Sequence, residues 1–247
     1  MVFKSMKELK EWLDFCDCAY LSEGGQGRCY KIGNKVYKIF LQYIEEDDDE
    51  ITPYYKDDIL QFSDIVNNTY IFPTDVIMVG EIVVGYITDY APSMSLYKTD
   101  PLTVDLSLFE RSLEITLPDI KTISDNGVLS FDVTYNILYG KDGFKVIDTL
   151  DYSKTNIDSD KLFAMNKDRF YHEIRLFLID EYFDKFVSRN KFLCEMYNDP
   201  DASAVLFLRE FRKALSENEG HEISKLSEAK KSMVRIRRKI PRYIREL

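Results

Sequence analysis

Histidine, tryptophan and cysteine are scarce in this chain: two, one and four residues among 247. Neither His172 nor His221 lies near the one close cysteine pair, Cys16 and Cys18, so no zinc-binding pattern is present. Cys29 and Cys194 complete the set, and a disulfide framework is not expected in so long a chain; the four read as reduced thiols. No run of 18 apolar residues occurs, and the opening MVFKSMKELKEWLDF has no apolar signal-peptide core, so a soluble cytoplasmic protein is expected. Internal repeats and low-complexity linkers are also lacking. Net positive charge is absent, at −10 overall, which disfavours a general nucleic-acid-binding surface. What basic charge exists is concentrated at one end. Residues 225–247 hold nine Lys or Arg against two Glu, a net +7, leaving 1–224 at about −17. Contact with an anionic membrane or another polyanion is therefore expected, if anywhere, through 225–247.

What is abundant is apolar: 45% hydrophobic residues with 14% aromatics, enough to bury the core of one large or two modest domains. Helical spacing of Phe3, Met6, Leu9 and Trp12 predicts a helix over 3–15. Alternation then predicts strands over 19–22, 28–32 and 35–40. The acidic run EEDDDE at 45–50 lacks the alternation and glycine of an EF-hand and reads as a solvated loop. A helix is expected over 53–67, with Tyr55, Ile59, Phe62 and Val66 on one face and Asp57 and Asp58 beside it. Strands over 75–79 and 82–89 follow. After Tyr90 helices are expected over 102–124, 168–189, 202–216 and 222–239, with one hairpin among them. The boundary near Tyr90 divides a strand-rich part, 1–90, from a helical part, 91–247.

Three features look chemical. Lys38 lies on a strand that is apolar on both faces, and a buried unpaired ammonium is too costly to keep, so it needs an anion; Asp57 or Asp58 is within the expected reach. The turn before it holds Gly24, Gly25 and Gly27, more glycine than a plain hairpin needs, which lets backbone N–H groups approach a phosphate; the plain turn stays open as the alternative. The third is LSFDVTYNILYGKDGFKVIDTLDY, residues 129–152, a hairpin with Asn136 before its first strand and Asp148 after its second. Facing one another, their Cα atoms would lie within about 4.5–5.5 Å. With Asp132 at the same end, the three supply oxygen ligands suited to a divalent cation. The alternative is a polar hairpin end in solvent. His172 and His221 read as helix-surface or core residues.

In chain order these features resemble the protein kinase-like superfamily in the abbreviated form of bacterial kinase-like proteins and small-molecule phosphotransferases, over residues 20–152. Ser22-Glu23-Gly24-Gly25-Gln26-Gly27 resembles the glycine-rich loop, with Cys29 where a valine usually roofs the adenine. Val36-Tyr37-Lys38 resembles the lysine strand, and Thr88, Asp89 and Ala91 the adenine-binding hinge. Ser130-Phe131-Asp132 stands where the family has His-Arg-Asp, and Asp148-Thr149-Leu150 where it has Asp-Phe-Gly. The resemblance implies an α+β, two-lobed fold, a five-stranded antiparallel N-lobe followed by a mainly helical C-lobe. It further implies ATP and Mg²⁺ as cofactors, Lys38 on the phosphates held by Asp57 or Asp58, Asp132 as catalytic base, and Asn136 and Asp148 as metal ligands.

Departures from the family pattern shape the expectation. Only Val133-Thr134-Tyr135 separate Asp132 from Asn136, against four residues in the family. Phe131 replaces the arginine that pairs with a phosphorylated activation loop, so control by that phosphorylation is not expected. Thr149-Leu150 lacks the mobile glycine, and no Ala-Pro-Glu follows, so the segment that docks protein substrates is short. The expected function is Mg-dependent phosphotransfer from ATP to a protein or small-molecule hydroxyl of unknown identity, with AMP transfer as another chemistry the fold can host. The competing expectation is a pseudokinase that binds nucleotide or a partner protein as a regulatory scaffold. The basic tail has two readings also: an amphipathic helix for anionic surfaces, or a segment packed on the helical part.

Overall fold

Alternating strands between residues 19 and 89 build one sheet, but the first strand of that sheet comes earlier than the sequence suggests. The computed structural model describes residues 1–44, 53–199 and 202–234, and the chain divides into two units. The first comprises Met1–Val66, Ile71–Pro92 and Asp148–Leu150. Its elements are β1 (Val2–Phe3), α1 (Met6–Phe15), β2 (Ala19–Gly24), β3 (Gly27–Ile32), β4 (Lys35–Phe40), α2 (Lys56–Leu60), β5 (Asp75–Val79) and β6 (Ile82–Asp89). They form a six-stranded sheet in the order β1-β5-β6-β4-β3-β2. All neighbours are antiparallel except β1, which runs parallel to β5. The sheet is thus mixed and six-stranded, where five antiparallel strands were expected.

The correction has a local cause. Ser5 caps α1, its Oγ accepting from the Glu8 N–H at 3.2 Å, while the Glu8 carboxylate accepts from Lys4 N–H at 2.6 Å. Phe3 is thereby kept outside the helix and extended, with its carbonyl accepting from Gly80 N–H at 2.9 Å. One sheet face packs Ile39, Ile77, Val84 and Ile87 against Leu9 and Leu13 of α1. The other packs Phe40, Val76, Val83 and Tyr86 with Ile59 of α2.

The helix expected over 53–67 shrinks to α2. Past Leu60 the chain closes tight turns instead: Ser63 Oγ donates to the Leu60 carbonyl at 2.7 Å, and Ile65 N–H to Phe62. Ile59 and Phe62 are buried, whereas Tyr55 and Val66 are exposed. The acidic run at 45–50 lies outside the described residues.

The second unit comprises Asn67–Tyr70, Ser93–Ile147 and the described residues from Asp151 onward. The division therefore falls two residues past Tyr90, and two short segments, 67–70 and 148–150, join the unit that the chain order alone would not give them. Its strands are β7 (Met94–Ser95), β8 (Val128–Leu129), β9 (Ile137–Gly140), β10 (Gly143–Val146) and β11 (Ser153–Lys154). Its helices are α3 (Leu106–Asp125), α4 (Ser159–Ile179), α5 (Asp184–Arg189), α6 (Lys191–Asn198) and α7 (Ala204–Glu219). The strands make a three-stranded sheet, β10-β9-β7, and a separate β11-β8 pair.

Asp105 starts α3 by accepting from the Ser107 and Leu108 N–H groups at 3.0 and 2.9 Å. The buried stripe of α3 runs through Leu106, Phe109, Leu113, Thr116, Ile120 and Ile123. The helix expected over 168–189 is two helices, α4 and α5. Residues 222–234 form no α-helix, only a 3-10 turn at Leu226–Glu228. Their backbone donors are diverted: Ile223 N–H to Ser216 Oγ, Ser224 N–H to Glu228, and Lys231 and Ser232 N–H to Glu219. Ile223, Leu226 and Ala229 are fully buried all the same. Residues 235–247, and with them most of the expected basic helix, lie outside the described residues. No helix among those described is long and apolar enough to cross a membrane.

One buried group makes alkaline stability testable. Tyr171 on α4 is 1% exposed and its hydroxyl has no hydrogen-bond partner among the described residues. Burial pushes its pKa up to about 12 from 10. The unfolded chain therefore ionises first: stability is intact below pH 10, falls as pH rises from about 10 to about 12, and levels beyond. At about 1.4 kcal/mol per unit the loss is on the order of 2–3 kcal/mol. Urea melts of wild type and Tyr171→Phe between pH 8 and 12 should show a shallower decline in the variant.

Candidate functional site

Cross-strand register gathers the candidate residues of the first unit into one row. Ser22 on β2 faces Cys29 on β3, Cys29 faces Lys38 on β4, and Lys38 faces Tyr86 on β6. Because side chains alternate along each strand, all four project from the same sheet face. Lys38 is only 6% exposed. Its Nζ donates to Asp148 Oδ1 at 2.5 Å and to Gln26 Oε1 at 3.2 Å, and lies 5.6 Å from the centre of the Tyr86 ring. The Tyr86 hydroxyl donates to the same Asp148 oxygen at 3.0 Å. A buried ammonium is thus paired, hydrogen-bonded and set near an aromatic ring.

This changes the partner assigned to Lys38. Asp57 and Asp58 occupy the first turn of α2 and are exposed. Asp148 supplies the carboxylate instead. Its backbone sits at φ 57°, a left-handed conformation that a non-glycine residue adopts at a cost of roughly 1–2 kcal/mol. Among the described residues only Asp132, at φ 41°, shares that feature. Strained backbone of this kind persists where surrounding structure enforces it and concentrates at functional sites.

The glycine turn splits into two kinds of position. A Cβ on Gly27 would stand 2.5 Å from the Ile39 carbonyl oxygen and 3.1 Å from Lys38 Cγ, so this glycine lets β3 pass close to the lysine. Gly24 and Gly25 meet nothing within 4 Å and have no positive φ. The hairpin itself therefore does not require them. Cys29 lies in the row beside Lys38; burial pushes its thiol pKa up, outweighing the pull of the Lys38 ammonium, and Asp148 adds to the rise. A neutral thiol at pH 7 lines this face.

Thr88, opposite Val36, continues the Lys38 side of β6 and is half-buried. Asp89 faces Lys35 and pairs with its Nζ at 2.7 Å, Tyr90 N–H donates to the Asn34 carbonyl at 2.9 Å, and Ala91 is buried. The end of β6 is thus tied to the β3–β4 turn.

In the second unit, register puts Ile147 one step past the Val146–Ile137 pair, where its N–H donates to the Asn136 carbonyl at 3.0 Å. Asn136 therefore faces Ile147, not Asp148, which corrects the expected pairing by one residue. The three-residue spacer takes a tight path. Asn136 Nδ2 donates to the Asp132 carbonyl at 2.8 Å, and Asn136 N–H to Val133 at 3.2 Å. Positive φ at Asp132 gives the turn its shape, and the Asp132 carboxylate is exposed. Oδ1 of Asn136 is not used by that turn.

Asn166, fully buried on α4, anchors the start of this loop. Its Oδ1 accepts from Ser130 N–H and Ser130 Oγ, both at 2.9 Å, and its Nδ2 donates to Ser124 Oγ at 2.9 Å and the Val128 carbonyl at 2.8 Å. Arg169 adds a bond to the Ser130 carbonyl and lies over the Phe131 ring. Replacing Asn166 by alanine leaves buried donors and acceptors unmatched and should cost about 2–3 kcal/mol. Hydrogen exchange should then quicken at residues 130–136 ahead of the rest of the unit.

Sequence reasoning missed Asn166, Tyr86 and Gln26. Tyr86 carried a usable signal, because the pairing of β4 with β6 sets it opposite Lys38; Gln26 lies in the β2–β3 turn, where strand pairing does not reach. Asn166 carried none, being one polar residue within a helix. Compared with known proteins, the sequence matches no family model and no curated protein.

Proposed function

We propose that the chain is an ATP- and Mg²⁺-dependent phosphotransferase of two-lobed, protein-kinase-like fold. The observation that carries this reading is the buried Lys38–Asp148 pair, with Asp148 in left-handed backbone. A lysine held by a carboxylate, on a sheet whose β2–β3 turn carries two glycines that the hairpin does not need, is the equipment for a nucleotide's phosphates: a point charge and approachable N–H groups. Asp148 offers a carboxylate and Asn136 an amide oxygen, each of the hard donor chemistry Mg²⁺ prefers, and both are assigned to that ion, which would neutralise phosphate charge. Asp132, exposed and in the second left-handed position, is assigned as the base that orients the acceptor hydroxyl and takes its proton. Ser22, Gly24, Gly25, Gly27, Cys29, Thr88, Asp89 and Ala91 complete the nucleotide-binding assignment. Lys38, held by Asp148 rather than by Asp57 or Asp58, meets the phosphates.

The test is incubation of the full chain with Mg-ATP, followed by intact-mass analysis and release of the γ-phosphate to added hydroxyl acceptors. Gain of one phosphate, or turnover above the no-enzyme rate, supports phosphotransfer. Gain of one AMP would redirect the chemistry. Binding without either product would leave the nucleotide-binding scaffold.

A further inference from the structure

The second unit carries a cleft of about 560 Å³ lined, among the described residues, by Lys185, Phe186, Arg189, Asn190, Asn218, Lys231, Ser232 and Val234. Three of these are cations and none is acidic, in a chain with 43 Asp and Glu against 33 Lys and Arg. We propose that this cleft is an anion site that takes a small ligand bearing two or more phosphate groups, separate from the Lys38 site.

The geometry supports both the sign and the class. Lys185 and Arg189 lie four residues apart on α5, so they rise from the same helix face, and neither forms a salt bridge among the described residues. Lys231 is fixed from the opposite side of the sequence, its Nζ donating to the Glu219 carbonyl at 3.0 Å, which leaves further ammonium hydrogens. Asp184 and Glu217 also adjoin lining residues in sequence, exposed and without lining the cleft; Glu219, beside Asn218, is buried and accepts from Lys231 N–H, Ser232 N–H and Ser232 Oγ, all at 2.9 Å. It is satisfied by backbone and hydroxyl donors rather than by the cleft's ammonium groups. Asn190 caps α6, its Oδ1 accepting from Leu193 N–H at 3.1 Å, so its Nδ2 is left as a donor. Cations and an amide donor converge on one chemistry. The guanidinium and ammonium groups suit phosphate oxygens. The cleft is large enough for several such groups and has only Phe186 and Val234 as apolar lining, which argues against a mainly apolar ligand.

The experiment is calorimetric titration of tripolyphosphate, without Mg²⁺, into the full chain at low and moderate salt. Saturable binding that weakens with salt is expected. The double charge reversal Lys185→Glu with Arg189→Glu, at exposed positions, should weaken it by about tenfold or more. A control reversal of Lys7 and Lys10 on α1 should leave it unchanged. No binding by a folded wild type overturns the proposal. So does loss on Lys38→Met with the cleft variant unaffected, or an equal loss on reversing Lys7 and Lys10, which would reveal only a general field. Binding to phosphatidylserine vesicles but not to tripolyphosphate would overturn it as well, pointing to a membrane surface.

Discussion

Replacing Asp148 by alanine is expected to destabilise the protein by about 3–5 kcal/mol, because it strands a buried ammonium without its counter-charge. The pair is unequal: the Lys38 side chain is 8% exposed and that of Asp148 33%. Removing the lysine instead, as Lys38→Met, leaves a carboxylate that water can still reach and puts an apolar chain in an apolar place. That variant should lose at most about 1 kcal/mol. Backbone strain adds a second, separable effect. Alanine must also adopt φ 57°, whereas glycine does so freely, so Asp148→Gly should be more stable than Asp148→Ala by roughly 1 kcal/mol. Urea unfolding of the three single variants and of Lys38→Met with Asp148→Gly reads out the whole set. The double variant should recover most of the loss seen in Asp148→Gly. Equal destabilisation by the lysine and aspartate variants would contradict the buried-pair account.

The second large effect falls on turnover. Asp132→Asn should lower phosphotransfer by about 10²–10⁴-fold while leaving ATP affinity within about twofold, the signature of a lost general base. Asparagine is chosen because it tolerates the left-handed backbone that Asp132 holds at φ 41°. The loop should therefore keep its Asn136–Asp132 bond and its anchor on Asn166. A variant with unaltered melting and unaltered turnover would remove Asp132 from the mechanism.

Much of the first unit was legible because β-strands advertise themselves through alternation. That pattern located β2 to β6 to within two residues at each end and put Lys38 on a strand apolar on both faces. It could not find β1, since two residues are too few to show a period. Nor could it limit α2: Tyr55 and Val66 complete a plausible stripe, and only the tertiary structure shows that both face solvent. The partner of Lys38 was misread for a related reason. Asp57 and Asp58 lay near in sequence, whereas Asp148 is 110 residues away and reaches the lysine through a fold that periodicity does not encode. Chain order singled out Asp132, Asn136 and Asp148 all the same, and backbone strain falls on two of those three. The hairpin register slipped by one, which strand alternation makes a change of face rather than a small error. After residue 221 the pattern was helical, yet the buried carboxylate of Glu219 and the Ser216 hydroxyl take the backbone donors that a helix would have used. Ile223 and Leu226 are buried all the same, so packing is kept where the expected conformation is not.

The most direct test of the central claim is calorimetric titration of ATP with and without Mg²⁺ into wild type, Lys38→Met, Asp148→Asn and Asp132→Asn. The account predicts saturable, Mg-dependent binding to wild type and Asp132→Asn. It should be accompanied by about 2.7 kcal/mol of stabilisation at a hundredfold excess over Kd, and be lost in Lys38→Met and Asp148→Asn. A folded wild type that binds no nucleotide at millimolar Mg-ATP, or binding that survives loss of both Lys38 and Asp148, would contradict it.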